Sequence, residues 1–243
     1  MKLTEAERKE NLEAFSAMSL PRKLEYIFEY FKFPLVLILI AVVALGSLLY
    51  SRWTHRDTLL YVAYANISVG DTMDAAMGEG FLRSIGADPG KSEVRIYRNL
   101  YLSQDPSAQN HEFAYASRLK VMASTANGQL DVLLMNREAF NILSSSGYLL
   151  PLDSLLERDP ALAARVSDRL VRNEVILRDN DVEHLLDESI PYQAVTEEVA
   201  NGLLISAFPL FEGAGFSGDV YLGVVGNSAR LDAVLQYIGY LTE

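Results

Sequence analysis

The stretch GQLDVLLMNREAFNILSSSGYLLPLD, Gly128 to Asp153, decides how this chain is built. LDVLLMN (130–136) is an apolar burst with no alternation, the pattern of a short strand covered on both faces. REAFNILSSSG (137–147) then runs at helical spacing and stops at a glycine. YLLPLD leads on to the next element. A strand covered on both faces needs helices above and below it, and the following segment supplies one of them.

The same grammar extends outward in both directions. LLYVAYAN (59–66) is a β-rich apolar run, and EVRIYRNLYL (93–102) alternates as a strand does. DAAMGEGFLRSIG (74–86) reads as a helix broken by glycine. In NHEFAYASRLKVMASTANG (110–128), Phe113, Ala116, Leu119, Lys120 and Ala123 fall in helical phase, with Gly128 as the C-terminal cap. DVYLGVVG (219–226) reads as a second buried strand. NSARLDAVLQYIGYL (227–241) reads as a helix capped by Asn227 or Ser228. Between these lie two short helices around Pro160, then two strands near Gln193–Val199 and Gly202–Ala207, paired as a hairpin about ANG. The alternation predicts an α/β domain over 57–243, with a mostly parallel sheet, helices on both faces and right-handed crossovers.

A different pattern precedes this domain. FPLVLILIAVVALGSLLYS (33–51) carries no charge and is bracketed by Lys32 and Arg52. As a helix it covers about 28 Å, close to the hydrocarbon thickness of a bilayer. Tyr26, Tyr30 and Phe31 before it, and Tyr50 and Trp53 at its far end, are placed as interfacial aromatics are. The expectation is one transmembrane helix over 33–52, with the lipid bilayer as a partner. The leader 1–32 balances six acids with six bases, unlike the short basic leader of a cleaved signal peptide. Thr4 and Glu7 form a capping-box pattern. Leu20, Leu24, Ile27, Phe28 and Phe31 make an apolar helix face, suited to the inner membrane surface, to a continuation of the anchor or to a dimer contact. Arg22, Lys23 and Lys32 before the span outnumber Arg52 and Arg56 after it. Three against two barely sets an orientation; a cytoplasmic N-terminus and an extracytoplasmic domain are expected mainly from the resemblance given below.

The net charge of −11 then lies entirely beyond the span, which argues against a nucleic-acid partner. With no cysteine, disulfides, thiolate metal sites and cysteine nucleophiles are excluded. GAGFSG (213–218) spells a dinucleotide fingerprint but precedes a strand instead of following one, so it reads as a loop. GADPGKS (86–92) falls one residue short of a phosphate loop and reads as a surface turn. DNDVE (179–183) clusters carboxylates, but His184 stands where a calcium loop needs glycine. His55, His111 and His184 are not at zinc spacing, and no nucleophile–base–orienter set is recognisable. The expectation is a non-enzyme with no cofactor and no metal.

LDVLLMNREAFNILSSSGYLLPLDSLL (130–156), with its strand, helix and G-x-L-x-P-L-D run, resembles a stretch of extracellular solute-binding proteins of the type 2 periplasmic-binding class. YLGVVGNSARLDAVLQYIGYL (221–241) is similar to the late strand and helix of the same lobe. The whole chain also resembles uncharacterised membrane-anchored proteins of Gram-positive, clostridia-like bacteria. The resemblance implies one reduced lobe, and the residues after Leu156 are too few for a second. It implies a membrane-anchored binding or interaction module for a small polar ligand or a membrane protein. The alternative it carries is a receptor for an ABC-type importer acting with a second chain or permease. Ligands of open parallel sheets sit beyond the carboxyl ends of the strands. Those ends are expected to carry Asn66, Ser68, Asn99, Asn136, Arg137, Asn227 and Ser228. The same residue types also serve turns and helix caps.

Overall fold

The computed structural model describes residues 19, 33–34, 36–47, 56–105, 110–187 and 189–243. The chain divides into two units, Met1–His55 and Arg56–Glu243. In the first, 33–34 and 36–47 are helical, and every described side chain there is exposed. Among the described residues no helix is long and apolar enough to cross a membrane. The rest of the expected span, its aromatic flanks and the leader helices lie outside the described residues, Ser19 excepted.

The second unit is α/β. Its six-stranded sheet is built from β1 (Asp57–Ala65), β2 (Ser92–Leu100), β3 (Val132–Met135), β4 (Leu170–Asp179), β5 (Ala194–Leu204) and β6 (Tyr221–Val224), in the order β2-β1-β3-β6-β5-β4. The first three strands are mutually parallel, whereas β6 runs antiparallel to β3 and to β5, and β4 antiparallel to β5. The sheet is therefore mixed, and the expectation of a mostly parallel one is corrected. Buried apolar runs such as LDVLLMN and DVYLGVVG show that a strand is covered, but not which way it points.

Side chains alternate between two cores. Leu60, Val62 and Tyr64 of β1, with Leu222 and Val224 of β6, face one layer of helices. That layer holds α1 (Asp71–Ala75), a π-helical turn (Ala76–Gly80) and α2 (Phe81–Ser84). Ala63, Ala65, Leu133, Met135 and Tyr221 face the opposite layer, formed by α3 (His111–Ala126) and α4 (Arg137–Ser145). The short helices α5 (Leu152–Leu156) and α6 (Pro160–Val166) return to the first layer. There they meet the C-terminal helix α8 (Leu231–Leu241), which follows α7 (Asp181–Leu186) in the chain.

Three local expectations are revised. The helix read as broken at Gly78 and Gly80 continues through them as the π turn. Tyr240 explains that turn, since its hydroxyl donates to the Ala76 carbonyl at 2.9 Å. A Cβ on Gly80 would stand 2.5 Å from the same hydroxyl. Gly80→Ala should therefore cost about 1–2 kcal/mol in urea unfolding, by displacing the Tyr240 ring. Tyr240→Phe should make most of that loss redundant; strictly additive costs would contradict the account. The two strands expected around ANG are one strand, β5, with Asn201 as a bulge, and its partner β4 went unread. On α3, Phe113 and Leu119 point outward, while Ala114, Ser117 and Val121 pack inward. Small residues let this helix lie close to the sheet.

Candidate binding cleft at the carboxyl ends of the central strands

β1 and β3 are parallel and adjacent, so the segments that leave them emerge side by side. Asn66 follows β1 with φ of +57°, the left-handed region that asparagine tolerates better than most residues. Its amide is committed to the backbone of Leu102: Nδ2 donates to the Leu102 carbonyl at 2.6 Å, and Oδ1 accepts from the Leu102 N–H at 2.7 Å. This clamp holds the β1 exit against the loop after β2. Asn136 follows β3 and caps α4, its Oδ1 accepting from the Ala139 N–H at 2.9 Å. Its Nδ2 makes no hydrogen bond among the described residues.

Arg137, at the first position of α4, lies with its guanidinium 4.3 Å from the centre of the Tyr221 ring. Tyr221 in turn stacks on Phe140, ring centres 5.2 Å apart and nearly coplanar at 8°. The Tyr221 hydroxyl donates to Asp219 at 3.1 Å. Burial, helped by that carboxylate, pushes the phenol above its ordinary range against the opposing pull of Arg137. Arg137 has no carboxylate partner among the described residues. A guanidinium stacked on an aromatic face keeps its fork of N–H donors available at the edges.

These groups line a cleft of about 610 Å³. One wall is Asn66, Ile67 and Ser68, the floor is Asn136–Glu138, and the far wall is the loop Gly215–Tyr221. The far wall includes most of GAGFSG, read from sequence only as a loop. Gly213 and Gly215 take φ of +75° and +74°, which lets that loop turn back over the sheet edge. No local pattern marked it as part of a site, because it reaches the cleft only through the β5–β6 connection.

The seven residues expected at the strand ends divide. Asn66, Ser68, Asn136 and Arg137 come together. Asn99 does not join them. It occupies a bulge of β2 at φ of +61°, between the pairs Ala63–Tyr97 and Ala65–Leu100. Asn227 and Ser228 stand at the opposite edge, because β6 is antiparallel to β3. There the Ser228 hydroxyl donates to the fully buried Asp131 at 2.7 Å, and Asn227 donates to the Thr125 carbonyl at 2.8 Å. Neither caps the last helix, which begins at Leu231 after Arg230.

Of the remaining motifs, DNDVE spans the end of β4 and the start of α7. GADPGKS is a surface turn in which Asp88 accepts from the Gly90 N–H at 2.8 Å, and β2 follows it. Among the described residues no group of three or more His, Asp or Glu side chains is placed to hold a metal ion. Compared with family models, with curated proteins and with solved structures, the chain matches none.

Proposed function

We propose that residues 57–243 form a non-catalytic, extracytoplasmic binding module, tethered to the membrane by the apolar segment 33–52. Its cleft takes a small polar ligand through an anionic group, a carboxylate in the simplest case. The observation that carries this reading is the Arg137 guanidinium, without a carboxylate partner among the described residues and held on the Tyr221 ring at the N-terminus of α4. The Arg137 and Glu138 N–H groups begin the helix and point the same way as its positive dipole end, which favours an anion. Glu138 and Asp219 on the cleft rim favour a ligand that also bears a cationic or hydroxyl group. The volume suits a small metabolite, and the open side leaves room for a second chain to complete the enclosure. An importer receptor would need that second wall. The exposed apolar side chains of 36–47 support the tether.

Thermal unfolding of the full chain in mild detergent, against amino acids, dicarboxylates and sugar acids, tests the reading. At a hundred times the Kd, a true ligand stabilises by about 2.7 kcal/mol, an unmistakable rise in melting temperature. Arg137→Ala should weaken that ligand by roughly 10- to 150-fold, the loss of a charge-assisted hydrogen bond, while leaving the unliganded melting temperature nearly unchanged. Arg137→Lys should recover only part of the affinity, since a point charge does not reproduce the fork. If no anionic compound shifts the melting temperature, or Arg137→Ala binds as wild type does, the reading fails.

A further inference from the structure

β4 and β5 pair along their whole length, yet β5 meets β6 only at Leu203 and Leu204. Beyond Gly202 the place beside β6 is taken by Leu149, which bridges to Val225. The rest of the β4–β5 ribbon leaves the sheet, and α4 is the helix that lies against β4. Among the described residues, no apolar side chain between Arg172 and Val199 belongs to either core. The fastening is polar instead. Asn173 Nδ2 donates to the Asn141 Oδ1 at 2.8 Å. The Ser144 hydroxyl donates to the Glu174 carbonyl at 3.1 Å and accepts from Asn201 Nδ2 at 2.8 Å.

This clip is poorly balanced. Ser144 and Asn201 are fully buried, and the Asn201 Oδ1 has no hydrogen-bond donor among the described residues. A buried polar atom without a partner raises the free energy of the state that buries it. A two-stranded ribbon, fastened by a few hydrogen bonds and no core, is the kind of segment that opens well below the free energy of global unfolding.

The helix that carries the clip begins in the cleft. Asn136, Arg137 and Glu138 form the cleft floor; one turn on are Phe140 and Asn141, and a further turn on is Ser144. The Arg137 guanidinium lies 4.3 Å from the centre of the Tyr221 ring and 5.9 Å from that of Phe140. These two rings stack, and Phe140 lies against Gly202, where a Cβ would stand 2.5 Å from it. Gly202 is the point at which the ribbon leaves the sheet. One short helix and one pair of rings therefore touch both the cation of the cleft and the root of the ribbon.

We infer, resting on the reading of the cleft as an anion site, that α4 couples the cleft to the ribbon. The ribbon alternates between a form clipped to α4 and a released form, and an anion held by Arg137 favours the clipped one. In the clipped form Gly202 backs the Phe140 ring, Phe140 backs Tyr221, and the Arg137 guanidinium has a fixed seat. In the released form both rings lose that wall, the guanidinium loses its seat, and water reaches the Asn201 Oδ1. A ligand that needs Arg137 in place binds the clipped form more tightly, and differential affinity is what moves such an equilibrium. Occupancy of the cleft thereby sets how much of the time the ribbon stands free.

Hydrogen exchange of the full chain in mild detergent, followed segment by segment, tests the coupling. In the wild type, 172–179 and 194–200 should exchange faster than β1 and β3. Asn141→Ala, an exposed change that spares the core, should speed ribbon exchange by roughly 2- to 10-fold, the loss of one hydrogen bond. Arg137→Ala should speed it by about 2- to 5-fold, the loss of one cation–π contact, and leave β1 and β3 as they were. Glutamate, succinate and gluconate, one from each class named for the cleft, are then added at equal ionic strength. One that raises the melting temperature of the wild type, but not of Arg137→Ala, should slow ribbon exchange about fivefold or more. Ribbon exchange as slow as that of β3, or unaltered by either substitution, overturns the coupling. So does an anion that binds through Arg137 and leaves ribbon exchange unchanged, with the reading of the cleft intact. If none of the three raises the melting temperature, the anion reading of the cleft and the coupling fall together.

Discussion

Asp131→Ala should destabilise the Arg56–Glu243 unit by about 3–5 kcal/mol, the cost of removing one partner from a buried charged network. Asp131 is fully buried at the start of β3, at the sheet edge opposite the cleft. One carboxylate oxygen accepts from the Tyr61 N–H at 2.9 Å. The other accepts from the Ser228 hydroxyl at 2.7 Å. Arg230 approaches both at 3.4 Å, while donating to the Gly128 carbonyl at 2.8 Å and lying over the Tyr61 ring. The side chain thus joins β1, β3 and the turn before α8. Alanine would strand a buried N–H and a buried hydroxyl and remove the counter-charge of Arg230. In a domain of this size that loss lowers the melting temperature by roughly 6–20 °C. Asp131→Asn keeps the shape but turns an NH2 toward a donor, so about half the loss is expected. Urea unfolding measures both. A loss below about 1 kcal/mol for the alanine variant would show that the network is not what joins these elements.

Gly202→Ala should cost about 2–3 kcal/mol through overpacking. Its Cβ would stand 2.5 Å and 2.7 Å from ring atoms of Phe140. That ring is buried and held by its stack on Tyr221, so it has little freedom to swing aside. Shortening the obstacle should relieve the clash. Phe140→Leu alone costs stability, but the double variant should lose at least about 1 kcal/mol less than the sum of the two single losses. Denaturant unfolding of the three variants gives the coupling directly. Simple additivity would mean that Phe140 is not what excludes a side chain at Gly202. Because Gly202 also marks where β5 parts from β6, the substitution probes the point at which the ribbon leaves the sheet.

Local pattern carries much of this architecture. β1 and β3 are continuous apolar runs because both faces are covered, and α4 is marked by Asn136 at its start and Gly147, at φ of +71°, beyond its end. β4 was illegible for the converse reason. Outside the core, LVRNEVILRD is wet on both faces, so no period of two is imposed on it. The inward face of α3 was misread because its helix approaches the sheet on alanine and serine, leaving larger apolar residues outside. Half of the cleft was legible from one rule, that ligands sit where parallel strands end. It brings together Asn66, Ser68, Asn136 and Arg137, which follow β1 and β3 and line one cleft. It fails at Asn227 and Ser228, because the polarity of β6 depends on how far the chain travels from β5.

The position of β6 bears on how the protein is made. This strand is the last of the six to be synthesised, yet it lies in the middle of the sheet, and without it β1–β3 and the β4–β5 ribbon are separate fragments with raw edges. Pairing Val132 with Val224 closes a loop of about half the domain, a late event in the folding sequence. The domain must therefore stay unfinished until β6 clears the ribosome, and truncation before Tyr221 should yield an aggregating product instead of a smaller folded one.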